Sequence, residues 1–548
     1  MDLDRYGRMD FEDYEDFSEH CGVTPPENFN FAFDCVDRLA QRSPDKTAMV
    51  WCDDDNRQAV YTFARMAAYS DATARFFASL GVRRGDRVML VLKRRAEFWF
   101  AILGLMKLGA VAIPATHLMR AEDVVYRNNA ASISVVVTTD DEVVLDAVDG
   151  AMPDSPSVKA RVSLSGERDG WLGFRAGMEA HMKGEAPARV TENADMMLIY
   201  FTSGTTGLPK MVAHNYIYPL GFIVGARQWQ ALHADSLHLT VADTGWAKAA
   251  WGKIYGQWLC EAAIFIYDHD RFNVHRLLTV MSRHRVTSFC APPTLLRVVA
   301  NADLSAYDIG ALEHVTSAGE PLDEELFEQF KKKTGLEIHE GYGQSETTPL
   351  VMTSVFTEPR PGSLGKPNPL YDIAFLDEDG REVGSGEEGE ICVRTKPGAV
   401  GMFMGYYRDE AMTAAAFRED VYHTGDMARR DADGYVWFVG RRDDIIKSAG
   451  YRIGPFEVES VLLTHPDVSE CAVTGAPHPL RGQVIKASVI LRPGRKPSET
   501  LKKELRAFVK ANASAYKVPR IIEFVESFPM TVTGKIRRSA IRDASEKG

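Results

Sequence analysis

Leu198-Ile199-Tyr200-Phe201-Thr202-Ser203-Gly204-Thr205-Thr206-Gly207-Leu208-Pro209-Lys210-Met211-Val212-Ala213-His214 begins as an apolar run and then changes character abruptly. The run 196–201 predicts a buried strand. It breaks into Thr202, Ser203, Gly204, Thr205, Thr206 and Gly207, all small, hydroxyl-bearing or glycine. The two glycines let the backbone turn tightly and approach a ligand. The hydroxyls and loop N–H groups can donate to phosphate oxygens, and Lys210 adds a point charge at the far end. A Walker A loop needs four residues between its glycines and Lys-Ser/Thr after the second. Here Gly204 and Gly207 are closer, and Met211 follows Lys210. Three such residues would be a solvated turn; six in a row before Pro-Lys predict a phosphate loop of another kind.

Outward from this loop, strand and helix signals alternate. Toward the N-terminus, strands are expected at 47–52, 59–62, 87–92, 110–113 and 134–138, with helices at 28–43, 62–80, 96–107 and 121–131. Beyond the loop, strands are expected at 237–241, 263–266, 288–291, 314–317 and 336–339. Such alternation predicts doubly wound parallel sheets. From residue 359 the texture shifts to short strands separated by Gly, Pro and Asp, around 371–376, 390–394 and 435–439, which predicts a small β-barrel. A chain of 548 residues exceeds one core. The fold expectation is therefore α/β: a large N-terminal domain, 1–442, with two sheet subdomains and the barrel, then a small mobile α+β domain, 443–548.

Composition narrows the function. The formal net charge of −12 argues against a nucleic-acid surface, so an anionic ligand must be held by local donors. Seven scattered cysteines form no Cys-x-x-Cys pair and predict reduced thiols in a cytoplasmic protein. Residues 1–20 are acidic and lack a signal-peptide core. The most apolar window, 98–115, contains Lys107, two glycines and Pro114, so a helix followed by a strand is expected there, not a membrane span.

Several short motifs carry chemistry. In Gly341-Tyr342-Gly343-Gln344-Ser345-Glu346-Thr347, Tyr342 offers a stacking ring, Ser345 a phosphate donor, and Glu346 a carboxylate for a phosphate-bound Mg²⁺. Ser317-Ala318-Gly319-Glu320-Pro321 also follows a strand, so both loops should open at one sheet edge, where α/β folds bind ligands. Asp426, in Thr424-Gly425-Asp426, can accept from two vicinal hydroxyls of a ribose. Arg441 follows fifteen residues later. Lys535 lies in Thr531-Val532-Thr533-Gly534-Lys535 near the C-terminus. Each motif alone is a common turn or a solvated charge.

Taken together, residues 202–210, 341–347, 424–426, 440–454 and 533–535 resemble, in order and spacing, the adenylate-forming superfamily, specifically AMP-forming acyl-CoA synthetases. The resemblance spans about 29–542. It is nearest to medium-chain members, with 243–248, 251–258 and 454–460 similar to archaeal branched-chain (2-methylbutyryl-like) enzymes. It implies ATP, Mg²⁺ and coenzyme A as ligands and a small-molecule carboxylic acid as substrate. It further implies that 202–210 wraps the pyrophosphate of ATP, that Gly319, Glu320 and Pro321 flank adenine with Tyr342 stacking and Glu340 near the exocyclic amine, and that Gly341, Gly343 and Gln344 complete that loop. Ser345 and Glu346 would meet the α-phosphate and metal, Asp426 and Arg441 the ribose. Lys535 would bridge carboxylate and α-phosphate, and Asp443 would be the hinge. Ala449, Gly450 and Tyr451 would line the pantetheine path. Arg481 and Arg520, the latter following Val518 and Pro519, would contact the CoA nucleotide. Arg452 matches an active-site arginine. Ser345 stands where threonine is commoner, and Ala449 where serine or glycine is.

The chemistry this implies needs no general base, because a carboxylic acid is already ionised at pH 7. The task is to bring two anions together, which preorganised charges such as Lys535 and Lys210 achieve. The acyl pocket is expected from Trp246, Trp251, Lys253, Gly343 and Arg452. Acetate-specific relatives carry tryptophan where Gly343 stands, so the glycine should open the pocket beyond two carbons. If 243–259 is one helix, Trp246, Ala250, Lys253 and Gln257 share a face; Lys253 then either limits the pocket, pairs with Glu261 or snorkels outward. Aryl-acid activation and carrier-protein loading are the competing readings. The latter is disfavoured because no carrier domain follows.

Overall fold

The computed structural model describes residues 3–202, 208–320, 322–448, 451–478, 481–530 and 536–546, without the side chains of Arg452 and 544–546. The chain divides into two compact units. One comprises 1–202, 209–372 and 395–420; the other comprises 203–208, 373–394 and 421–548.

The first unit holds two large sheets. In one, the strands Met196–Thr202, Val111–Pro114, Arg87–Val91, Val135–Thr138, Ala160–Ser163 and Leu172–Gly173 lie in that order and run parallel. Lys210–Asn215 and then Gly405–Tyr406 extend its other edge antiparallel. The second sheet has nine strands, with a parallel centre of Ile338–Tyr342, His314–Ala318, Ser288–Cys290, Leu237–Thr240, Ala263–Asp268 and Thr47–Asp53. The doubly wound expectation therefore holds. One detail differs from sequence order: the hairpin of Thr47–Asp53 and Gln58–Thr62 joins the second sheet, through parallel pairing with Ala263–Asp268.

The window 98–115 forms the buried helix Glu97–Leu108 and the strand Val111–Pro114. The helix ends at Gly109, whose φ of +73° suits a left-handed cap. Its Lys107 is fully buried and neutralised by Asp37 at 2.7 Å and Asp71 at 2.5 Å, as a buried charge requires. The expected helix 28–43 is shorter: a π-helical turn, Ala32–Asp37, continuing as Arg38–Arg42.

In the second unit, Ile373–Leu376, Glu388–Arg394, Val421–Arg430 and Val436–Arg441 form an antiparallel run. The expected barrel is not formed: its strands make an open path among the described residues. The strands beyond Val421–Arg430 and Ile373–Leu376 are too few to close the ladder on itself. The C-terminal segment builds its own five-stranded sheet, with Gly482–Leu491 at its centre and Ile521–Phe524 parallel to it. Its core includes Ile446, Val458, Leu462, Val473, Ile485, Leu505 and Val509. Among the described residues no helix is long and apolar enough to cross a membrane.

Candidate active site

In the first unit, Thr202 and Lys210 close a hairpin as direct partners across the ladder. Ser203, Gly204, Thr205, Thr206 and Gly207 lie outside the described residues. Lys210 Nζ stands 5.1 Å from the centre of the Tyr406 ring, a cation–π distance. Tyr406 OH donates to Glu346 Oε1 at 2.9 Å. The strand Gly405–Tyr406 pairs with Lys210–Asn215, and Phe403 N donates to the Glu346 carbonyl at 2.9 Å. Lys210 and Glu346, far apart in sequence, are thus joined through Tyr406, a residue no motif pointed to.

The loop carrying Ser345 is fixed from beneath. His214 is fully buried, stacked at 3.7 Å on Tyr218, with Nε2 2.8 Å from the Ser345 carbonyl. Burial pushes its pKa down to about 3, so the neutral ring donates from Nε2. The quoted stretch ended on this histidine without a role for it. Gln344 N is held by Thr347 Oγ1 at 3.0 Å.

The two glycine-bearing loops do open at one sheet edge, since Ser317 pairs with Glu340 and Ala318 with Gly341 in parallel register. Gly319 follows with φ of +100°, where a side chain would be strained. Pro321 lies outside the described residues. Glu340 Oε1 accepts from Leu322 N at 3.2 Å, while the buried Oε2 has no hydrogen-bond partner among the described residues. Burial pushes this carboxyl well above its usual range. An unpaired buried acceptor beside Tyr342 fits the amine of a purine.

The apolar side is built by tryptophans packed on glycines. A Cβ at Gly341 would lie 2.6 Å from the Trp229 ring, and one at Gly343 2.6 Å from both the Trp251 ring and the Thr348 carbonyl. The two indoles meet edge-on, 6.1 Å apart at 87°. Gly343 therefore leaves no void: Trp251 lies in the space its missing side chain would take.

The segment 243–259 is not one helix. Lys248–Gly252 and Tyr255–Leu259 are separate, broken at Lys253 (φ −150°, ψ 18°) and Ile254 (φ −137°, ψ −68°). Trp246 precedes the first helix, so the shared face with Lys253 and Gln257 does not exist. Lys253 neither snorkels nor pairs with Glu261, which instead meets Arg42 at 2.5 Å. Lys253 is 2% exposed, its Nζ donating to the Ala242 carbonyl at 2.7 Å. Burial, with Arg94 nearby, pushes its pKa down to about 7.

In the second unit, Asp426 and Arg441 are direct partners across an antiparallel ladder, NH1 to Oδ1 at 3.5 Å. Arg441 also reaches Asp443 Oδ1 at 3.4 Å and the Thr424 carbonyl at 3.4 Å. Arg542 holds the same turn through Asp444 and the Asp443 carbonyl. Tyr451 is half exposed and stacks on Tyr516, centroids 4.3 Å apart and planes 6° from parallel. Arg481 and Arg520 are exposed, Pro519 is buried and Val518 half-buried. Arg506 pins this loop by donating to the carbonyls of Pro519 and Arg520. Ala449, Gly450, Lys535 and the Arg452 side chain lie outside the described residues. Sequence reasoning missed Tyr406, Trp229 and Tyr516 because each acts through a packing partner distant in sequence.

These features define an adenylate-forming ligase, and comparison with known proteins agrees. The model of the AMP-binding enzyme family matches residues 36–407, and that of the AMP-binding enzyme C-terminal domain matches 457–535. Acyl-coenzyme A synthetase ACSM3 (mitochondrial) of Mus musculus is 38% identical over 97% of this chain and 93% of its own length. Acyl-coenzyme A synthetase ACSM5 (mitochondrial) of Mus musculus is 39% identical over 94% and 91%. Among solved structures, an acyl-CoA synthetase of Brucella canis is 31% identical, with a TM-score of 0.74, covering 98% of this chain and 99% of that one. The anthranilate CoA ligase AuaEII in complex with anthranoyl-AMP has a TM-score of 0.86 at 29% identity, covering 95% and 98%. The chain belongs to the AMP-binding enzyme family. Within it, the chain is an acyl-CoA synthetase of the medium-chain type, an ATP-dependent ligase joining a carboxylic acid to coenzyme A.

Proposed function

We propose that this ligase acts on a short- to medium-chain aliphatic acid, straight or branched, and divides the work among its residues as follows. Thr202, Lys210 and the intervening loop hold the pyrophosphate portion of ATP. Glu340, Tyr342 and Gly319 hold adenine; Asp426 and Arg441 hold the ribose. The Lys210–Tyr406–Glu346 contact is the single observation that carries this reading, because it places a cation and a carboxylate on one tyrosine. Glu346, half-buried and with a second carboxylate oxygen besides Oε1, fits Mg²⁺, which would neutralise phosphate charge there. Lys535 lowers the repulsion between carboxylate and α-phosphate, and Ser345, fixed by His214, donates to the phosphate.

The carboxylate attacks the α-phosphorus, pyrophosphate leaves, and the mixed anhydride then meets the CoA thiol with AMP as leaving group. We assign the thiol path to Ala449, Gly450 and Tyr451, the CoA nucleotide to Arg481 and Arg520 beside Val518 and Pro519, and the hinge to Asp443 at the 442/443 boundary. Trp251, seated on Gly343, bounds the acyl chain, with Trp246 and Arg452 near it. An aryl acid is the second reading, favoured by the likeness to an anthranilate CoA ligase. The absence of any disulfide among the seven cysteines supports a reducing compartment. The cytoplasm is the expected one, and the mitochondrial relatives make the matrix its competitor.

The test is pyrophosphate release and thioester formation across a panel of C2–C10 straight, branched and aryl acids, with and without CoA. CoA-dependent acyl-CoA formation peaking among aliphatic acids supports the reading. A peak at aryl acids, or pyrophosphate release with no acyl-CoA, overturns it.

A further inference from the structure

Behind the strand that carries Asp426, one side-chain cluster has the composition of a metal centre. Cys392, on Glu388–Arg394, and His423, on Val421–Arg430, are direct partners in an antiparallel ladder. Glu390 lies two residues from Cys392, on the same face of its strand. The register then slips: Glu390 pairs with Met427, so one residue, Ile391, opposes three on the other strand. The surplus bulges at Thr424, Gly425 and Asp426. Gly425 there has φ of +72°, and its N–H donates to Glu390 Oε1 at 2.8 Å.

The remaining atoms converge. His423 Nδ1 lies 3.1 Å from Glu390 Oε2 and 3.4 Å from Cys392 Sγ. One ligand atom from each residue lies within 4.8 Å of the others. A tetrahedral ion with bonds of about 2.3 Å to sulfur and ~2.0–2.1 Å to nitrogen and oxygen has edges of roughly 3.3–3.6 Å. The two observed edges are within a few tenths of an ångström of that. Thiolate, imidazole and carboxylate together suit zinc and its neighbours, whereas Mg²⁺ takes oxygen alone. Burial acts to raise the Glu390 carboxyl, but hydrogen bonds from His423 and the Gly425 amide outweigh it and hold it below its usual range.

We propose that Glu390, Cys392 and His423 form a binding site for a zinc-class divalent cation, distinct from the Mg²⁺ of the reaction. On binding, the Cys392 thiol releases its proton to solvent, and His423 shifts its Nδ1 proton to Nε2 through solvent and coordinates through Nδ1 as the neutral ring. Glu390 Oε2 turns to the ion while Oε1 keeps the Gly425 amide. Arg442, now 3.2 Å from Oε2 with its side chain 46% exposed, swings into water. Solvent takes the fourth position from the side of His423, the half-buried member. The ion then ties the two strands together directly behind the bulge that carries Asp426. The site stands on its own geometry and does not depend on the acyl substrate.

Co²⁺ titration of metal-free, full-length protein tests it, because a thiolate–cobalt bond gives a charge-transfer band. Wild type should show one equivalent of this band, displaced by Zn²⁺. The band should be absent in Cys392→Ala, and His423→Gln should weaken cobalt affinity about tenfold or more. Circular dichroism establishes that each variant is folded, and His423→Gln decides alone if Cys392→Ala is not. No band in wild type, a band surviving Cys392→Ala, or unchanged affinity in His423→Gln overturns the proposal.

Discussion

The polar corner around Lys210, Tyr406 and Glu346 and the apolar face around Gly343 and Trp251 lie in the same unit but are specified differently. In the first, Lys210 opens a strand, Glu346 lies in a turn, and a single tyrosine contacts both charges. In the second, a glycine is present because an indole occupies the space beside it. The two charges of the polar corner, Lys210 and Glu346, are encoded as residue types in short motifs, though the tyrosine between them is not. The apolar face is encoded as shape shared between segments about ninety residues apart. Charge handling should therefore fail sharply and in one reaction step when a group is removed. Shape should fail gradually and change which acid is used.

The largest expected effect is that of Lys535→Ala, the residue proposed to bridge carboxylate and α-phosphate. Removing one preorganised charge should lower acid-dependent pyrophosphate release on the order of 10²–10³-fold. Thioester formation from supplied acyl-adenylate should survive. Equal loss of both half-reactions would mean that Lys535 is not confined to the charged transition state.

Tyr406→Phe should be milder. It deletes a hydrogen bond to a carboxylate, worth about 1.5 kcal/mol, so adenylation should fall about tenfold with a higher ATP·Mg requirement. Unchanged kinetics would show that Glu346 needs no help from Tyr406.

On the apolar side the effect leaves the reaction unchanged and is read in stability. Burial takes the Lys253 pKa from an ordinary 10.5 to about 7 in the fold. Between these values the unfolded chain binds more protons, so stability rises as pH climbs from about 7 to 10.5 and the penalty is complete below 7. Lys253→Met should flatten that rise in Tm, as measured by thermal melts across the range. An unaltered slope would place the titration elsewhere.

How much was legible follows the same divide. The strand–helix alternation and the paired loops after His314–Ala318 and Ile338–Tyr342 were readable because each depends on local pattern or strand period; the ladder that pairs Asp426 with Arg441 was not, because 422–426 reads as a turn. The break at Lys253 was not, because Gly252 packs directly on Thr240: a Cβ added there would lie 1.9 Å from Thr240 Oγ1. That tertiary contact overrides a continuous helix. The barrel was mistaken for the same reason, since strand signals do not say whether a ladder closes. Trp229 and Tyr406 gave no signal, because a lone aromatic reads as core until its partner is known.

The most direct test of this division is the chain-length profile of Trp251→Ala, with Trp251→Leu as a gentler variant and folding verified by circular dichroism. If Trp251 bounds the acyl chain, the kcat/KM ratio of a C8 to a C4 acid should rise by about tenfold or more over wild type, because two further methylenes at ~0.8 kcal/mol each become accommodated. A ratio that stays fixed while all acids lose activity equally would contradict it and make Trp251 a packing residue alone.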